Sequence, residues 1–168
     1  TAFKLVQKDI NDAGGVLGKD MEISISDTSD SDHADQNTSA AQSAISKKPS
    51  VVIGPPSSSV VKNTYKQVTS AGIPMISQGA TSTAFSGLDD NFYRVIPPDT
   101  VQGAVMGQII AQDGVKNLAI TVCNEEYGTS LRDVVVKTAK DAGVNIGYLR
   151  SDRDEFLVHR IRHQGHQS

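Results

Sequence analysis

Short apolar runs alternate along this chain with segments of helical spacing, and that alternation limits the folds open to it more than any single motif. Residues 2–13 carry apolar side chains at Phe3, Val6 and Ile10 and stop at Gly14-Gly15, which predicts a helix. Residues 21–26 alternate at Met21, Ile23 and Ile25 and predict a strand with one wet face. A helix over 34–47, a buried strand over 51–53, a helix over 60–71 closed by Gly72 and a strand over 73–76 follow. Beyond them come a strand over 92–95, a helix capped by Asp99 or Thr100 and running to 112, a buried strand over 118–122, a helix over 130–142, and a last strand from Gly143. Strands alternating with helices of about ten to fifteen residues are the signature of repeated βαβ units. The expected fold class is α/β, a three-layer doubly wound parallel sheet with helices on both faces.

Within this pattern the run Val51-Val-Ile-Gly-Pro-Pro-Ser-Ser-Ser59 stands out. A strand is broken by Gly-Pro, and three hydroxyl residues occupy the place where a helix begins. Such a junction sets free backbone N–H groups and the positive end of a helix dipole at the carboxyl edge of a sheet, a setting suited to a carboxylate or phosphate. The Gly-x-Ser-x-Gly elbow of serine hydrolases is absent, so no nucleophile is predicted there. No Gly-x-Gly-x-x-Gly or Gly-x-x-x-x-Gly-Lys loop occurs either, which removes the usual signals for a nucleotide-dependent enzyme. No enzyme activity and no cofactor are expected.

The 168 residues suffice for one ordinary core, and the net charge of −3 lacks any basic run interleaved with aromatics. No nucleic-acid surface is expected. No apolar run reaches the length of a membrane span, and no charged-then-apolar leader is seen, so any signal peptide is expected to have been removed. The single cysteine, Cys123, allows no internal disulfide and reads as a small core residue beside the run 118–122. The acid-rich stretch from Asp27 to Asp35 does not fit a calcium loop. Counted from Asp30, the sixth position is Asp35 rather than Gly and the twelfth is Ala41 rather than Glu. It reads as a polar loop in which Asp30, Ser31 or Asp32 caps the next helix, with His33 solvated. No metal site is expected.

Three loops follow successive strands, 54–59, 77–83 and 124–129, and in a parallel sheet they gather at one edge. With the blocks Asp9-Ile-Asn-Asp-Ala-Gly-Gly-Val-Leu-Gly, Ile53-Gly-Pro-Pro-Ser-Ser-Ser, Gly72-Ile-Pro-Met-Ile-Ser-Gln-Gly-Ala-Thr, Phe92-Tyr-Arg-Val-Ile-Pro-Pro-Asp and Glu126-Tyr-Gly, the chain closely resembles the first lobe of the type I periplasmic binding proteins. The likeness is to the branch that binds leucine, isoleucine and valine for ABC importers.

The resemblance implies a ligand site. Ser58, four residues after the strand-end Gly54, would grip a ligand carboxylate, Thr81 would also meet the ligand, and Gly79 and Ala80 would present backbone groups, one carbonyl taking the ligand ammonium. Tyr127 would help enclose it. Each residue also has a plain role: Ser58 as a helix cap, Thr81 as a turn residue, Tyr127 as a shield over the sheet edge. Glu125 and Glu126 read as solvated. The implied partners are a small amino acid or amide ligand and an ABC permease in the intact parent, at the periplasmic or outer face of the cytoplasmic membrane. The alternative is the ligand-binding domain of an amide or urea sensor or receptor of the same fold.

Against the family pattern, the chain is expected to start inside the first helix, without the strand that precedes it, and to lack the second lobe. Residues 1–150 are read as that incomplete first lobe, whose open strand edges could pair with a second copy. Residues 151–168 are read as a non-native or frameshifted tail, in which His159, His163 and His166 have no evolved role.

Overall fold

A computed structural model describes residues 2–88 and 90–152. The described residues form two compact units, one within Thr1–Ala80 and Leu88–Ile96, the other within Thr81–Gly87 and residues 97–152.

The first unit holds helices α1 (Ala2–Asp12), α2 (Ala34–Ser46) and α3 (Ser58–Ser70) and strands β1 (Val52–Ile53), β2 (Met75–Ser77) and β3 (Phe92–Arg94). The strands form one parallel sheet in the order β1-β2-β3, with Val52 opposite Met75 and Met75 opposite Phe92. Helix α3 forms where the sequence placed it because Ser57 caps it, its side chain accepting from the Val60 amide at 3.4 Å. Val60, Val61, Tyr65 and Val68 line its buried face. Met75 of β2 is fully buried, and Phe92 of β3 meets the Tyr65 ring edge-on at 5.7 Å. Gly72, with φ +76°, takes the left-handed conformation that ends the helix.

The second unit holds a 3₁₀ turn (Thr83–Phe85), helices α4 (Asp99–Gln112) and α5 (Glu126–Asp141), and strands β4 (Asn117–Cys123) and β5 (Asn145–Asp152), paired in parallel. The two helices pack closely. A Cβ on Gly103 would lie 2.7 Å from the Val134 Cβ, and one on Gly107 2.6 Å from the Thr138 Cβ, so α4 presents bare backbone to α5 along one seam.

The α/β class and parallel pairing agree with the sequence reading, while several details differ. Residues 21–26 form no strand. A strand needs a ladder partner, and here the Asn11 side chain takes both the N–H and C=O of Met21, while the Ile23 N–H donates to Gln7. The run 51–53 is not buried: β1 is an edge of its sheet, and Ile53 is 65% exposed. None of Asp30, Ser31 and Asp32 caps α2. The Asp30 carboxylate closes the preceding turn by accepting from the Asp32 amide and the His33 ring at 2.6 Å, leaving His33 as an N-cap without a side-chain cap bond. His33 is exposed, as expected, but paired. Buried Asn37 ties this turn down by donating to the Thr28 and Asp30 carbonyls.

Strand β4 is half-exposed rather than buried throughout. Its alternation puts Leu118, Ile120 and Val122 on one face and Cys123 on the other, so Cys123 is exposed and not a core residue. Helix α5 starts at Glu126, four residues earlier than the loop reading gave. The readings of the tail beyond residue 152, its three histidines included, fall outside the described residues.

Candidate functional site

In the first unit, the junction after β1 and the loop after β2 are built against each other. The Gly54 amide donates to the Ile76 carbonyl at 2.8 Å, and a Cβ on Gly79 would lie 2.8 Å from both the Cβ and the carbonyl oxygen of Pro56. Only glycine allows that approach. Ser58 is the first residue of α3 and 2% exposed. It is not the cap, because the neighbouring Ser57 is. Ala80 is fully buried, and its carbonyl accepts from the Arg94 guanidinium at 3.2 Å. Ser58, Gly79 and Ala80 thus all belong to this unit.

Thr81 and Tyr127 belong to the second unit. Thr81 is 6% exposed and its carbonyl accepts from the Asp99 amide at 2.8 Å. The Thr81 hydroxyl and both carboxylate oxygens of fully buried Asp99 have no hydrogen-bond partner among the described residues. Asp99 is therefore not the cap that the sequence suggested. Pro98 holds the N-cap position, and Asp99 lies in the first turn of α4. Sequence reasoning missed it as a site residue. The Pro-Pro-Asp spacing signalled a helix start but carried no information on whether the carboxylate would find a donor.

The loop bearing Thr81 is tied to the start of α5. The Ser82 hydroxyl donates to Glu126 at 2.8 Å, and the Thr83 amide donates to the Ser130 hydroxyl at 3.0 Å. Glu125 caps α5, its carboxylate accepting from the Gly128 amide at 2.8 Å. Both glutamates are half-buried and engaged rather than solvated. Tyr127, in the first helical turn, is 39% exposed, and its hydroxyl accepts from the Gln102 side chain at 3.5 Å. Among the described residues, no group of three or more His, Cys, Asp or Glu side chains could hold a metal ion, and no helix is long and apolar enough to cross a membrane.

Parallel strands alternating with helices define an α/β protein. The model of the family described as the receptor family ligand binding region matches residues 1–166, and the chain belongs to that family. Over 165 residues, 94% of this chain and 44% of the relative, it is 28% identical to the leucine-, isoleucine-, valine-, threonine- and alanine-binding protein of Pseudomonas aeruginosa. It is 34% identical over 140 residues, 81% of this chain, to a Leu/Ile/Val-binding protein homologue of Brucella abortus, covering 37% of that protein. A solved leucine-binding protein of Thermotoga maritima shares its fold with a TM-score of 0.79 at 20% identity, over 91% of this chain and 44% of that one. The chain thus spans less than half the length of these relatives.

Proposed function

We propose that the chain is part of an extracytoplasmic solute-binding protein that captures a small amino acid of the branched-chain type and hands it to an ABC permease. The observation that carries this reading is the orphaned pair at the head of α4. A buried carboxylate without a donor is costly, and a cationic ligand group relieves that cost. An α-ammonium offers a positive charge and three donors to Asp99 and the Thr81 hydroxyl. Within the first unit, Ser58, at the positive end of α3, suits a ligand carboxylate. In the first unit the Gly79 and Ala80 carbonyls are the backbone acceptors, the latter beside its bond from Arg94, and in the second unit Tyr127 is exposed enough to meet a ligand. The relatives' names, which include leucine, isoleucine and valine, support a zwitterion with a small apolar side chain. Capture and release need no covalent step, and a place outside the cytoplasmic membrane follows from an importer's need to collect its solute there.

The test is a titration of the 168-residue chain with L-leucine, with 4-methylpentanoate, which lacks the ammonium, and with 3-methylbutylamine, which lacks the carboxylate. Perturbations are read at the backbone amides of Ser58, Ala80, Thr81 and Asp99 by two-dimensional NMR. Saturable shifts at these amides are expected with leucine, and responses weaker by tenfold or more with each half-ligand. Equal responses to leucine and 4-methylpentanoate would refute the ammonium site.

A further inference from the structure

Two loops of the first unit bring the candidate residues of that unit together: 54–57, which leads into Ser58, and 78–80, which carries Gly79 and Ala80. Neither is held by a regular ladder along its whole length, yet a ligand site gains little from groups that must be ordered on binding. One side chain joins them. Ser77 ends β2, is fully buried, and its hydroxyl donates to the Pro55 carbonyl at 2.7 Å. The same oxygen accepts from the Ala80 amide at 3.1 Å and the Gly79 amide at 3.4 Å. A serine hydroxyl has one proton and two lone pairs, so this one is fully used, one bond to the first loop and two to the second. Arg94 holds the Ala80 carbonyl from β3, so both backbone groups of Ala80 have fixed partners.

We propose that Ser77 is a positioning residue of the ligand site: a buried hydroxyl staple that fixes loop 78–80 against the segment entering Ser58. The ligand role rests on the amino-acid reading above; the staple itself does not. The staple makes the Gly79 and Ala80 amides donors to a buried oxygen, so they should resist hydrogen exchange although they lie in a loop.

The experiment is residue-resolved amide exchange by NMR on the full chain and on Ser77→Ala, with Val68→Ala as a control that removes buried side-chain volume on α3 without touching either loop. In the wild-type chain, the Gly79 and Ala80 amides should exchange at least tenfold more slowly than that of exposed Gly87. In Ser77→Ala they should speed up by tenfold or more beyond the change at Val68, and in Val68→Ala they should track the Val68 region. Ser77→Thr, which keeps the hydroxyl, should restore slow exchange at Ala80. Wild-type amides at 79 and 80 exchanging as fast as Gly87 would overturn the proposal even if Ser77→Ala does not fold, and so would a Ser77→Ala effect spread evenly over the core. Leucine titrations run alongside separate the two ideas. No leucine response in the wild-type chain refutes the amino-acid reading alone, and the exchange data still uphold or overturn the staple.

Discussion

The orphaned carboxylate of Asp99 makes an opposed prediction for stability and binding. Asp99 is fully buried, and neither of its oxygens nor the Thr81 hydroxyl meets a donor among the described residues. An uncompensated buried ion carries a penalty of several kcal/mol, whereas a neutral amide of the same shape left unsatisfied costs about 1–3 kcal/mol. Asp99→Asn should therefore stabilise the unliganded chain by about 1–3 kcal/mol. At about 2–4 °C per kcal/mol for a chain of this size, its unfolding midpoint should rise by roughly 2–12 °C. Leucine should stabilise the wild type and do much less for the variant, because a desolvated charge pair is worth about 2–4 kcal/mol, or roughly 30- to 1,000-fold in Kd. The assay is thermal unfolding of both proteins with and without millimolar leucine, followed by circular dichroism. A variant that melts below the wild type without ligand would refute the reasoning, because it would mean that the carboxylate is already satisfied, for instance by a trapped water.

Three other outcomes are expected. Gly79→Ala places a Cβ 2.8 Å from the Pro56 carbonyl oxygen and should lower urea stability by about 1–3 kcal/mol through forced separation of the two loops. Ser57→Ala removes the cap of α3 and should cost about 1 kcal/mol in the same assay, with leucine-induced shifts at Ser58 still present if capping and binding are separate roles. The hydrogen bond between Asp30 and His33 raises the histidine pKa and lowers that of the aspartate. The histidine contribution to stability is full below the ordinary value near 6.5 and lost as pH rises through the raised one. The aspartate contribution is full above the ordinary value near 3.8 and lost as pH falls through the lowered one. The pair should thus contribute most between about pH 4 and 6.5, and Asp30→Asn should bring the His33 midpoint down in an NMR titration.

Much of this fold is legible in the chain because its signals are local. The hydroxyl cluster, the valines of α3 and Gly72 together specify a cap, a buried face and a stop, and α3 lies within two residues of its expected start. Signals that depend on a partner fail. Met21, Ile23 and Ile25 alternate as a strand does, but pairing is a property of neighbours, and side chains of α1 take backbone groups of Met21 and Ile23 instead. Three serines in a row cannot show which one caps, and the structure assigns Ser57. The start of α5 was hidden by Gly128, which reads as a breaker. It stands inside the helix because a Cβ there would lie 2.3 Å from the Cys123 carbonyl oxygen. The candidate residues Ser58, Gly79, Ala80, Thr81 and Tyr127 came from loop content and family likeness. The orphaned state of Asp99 depends on the absence of donors around it, which no residue pattern encodes.

The glycine seam between α4 and α5 bears on how freely this sequence can drift. Two glycines inside one helix cost about 0.5–1 kcal/mol each in helix formation, and contact with α5 offsets that cost only while Val134 and Thr138 sit against bare backbone. Val101, Val105 and Ile109 are each about half exposed and make no such demand. A saturation library across α4 should return a permissive helix broken by two intolerant positions four residues apart. Their tolerance to alanine should return only when Val134 or Thr138 is made smaller in the same gene.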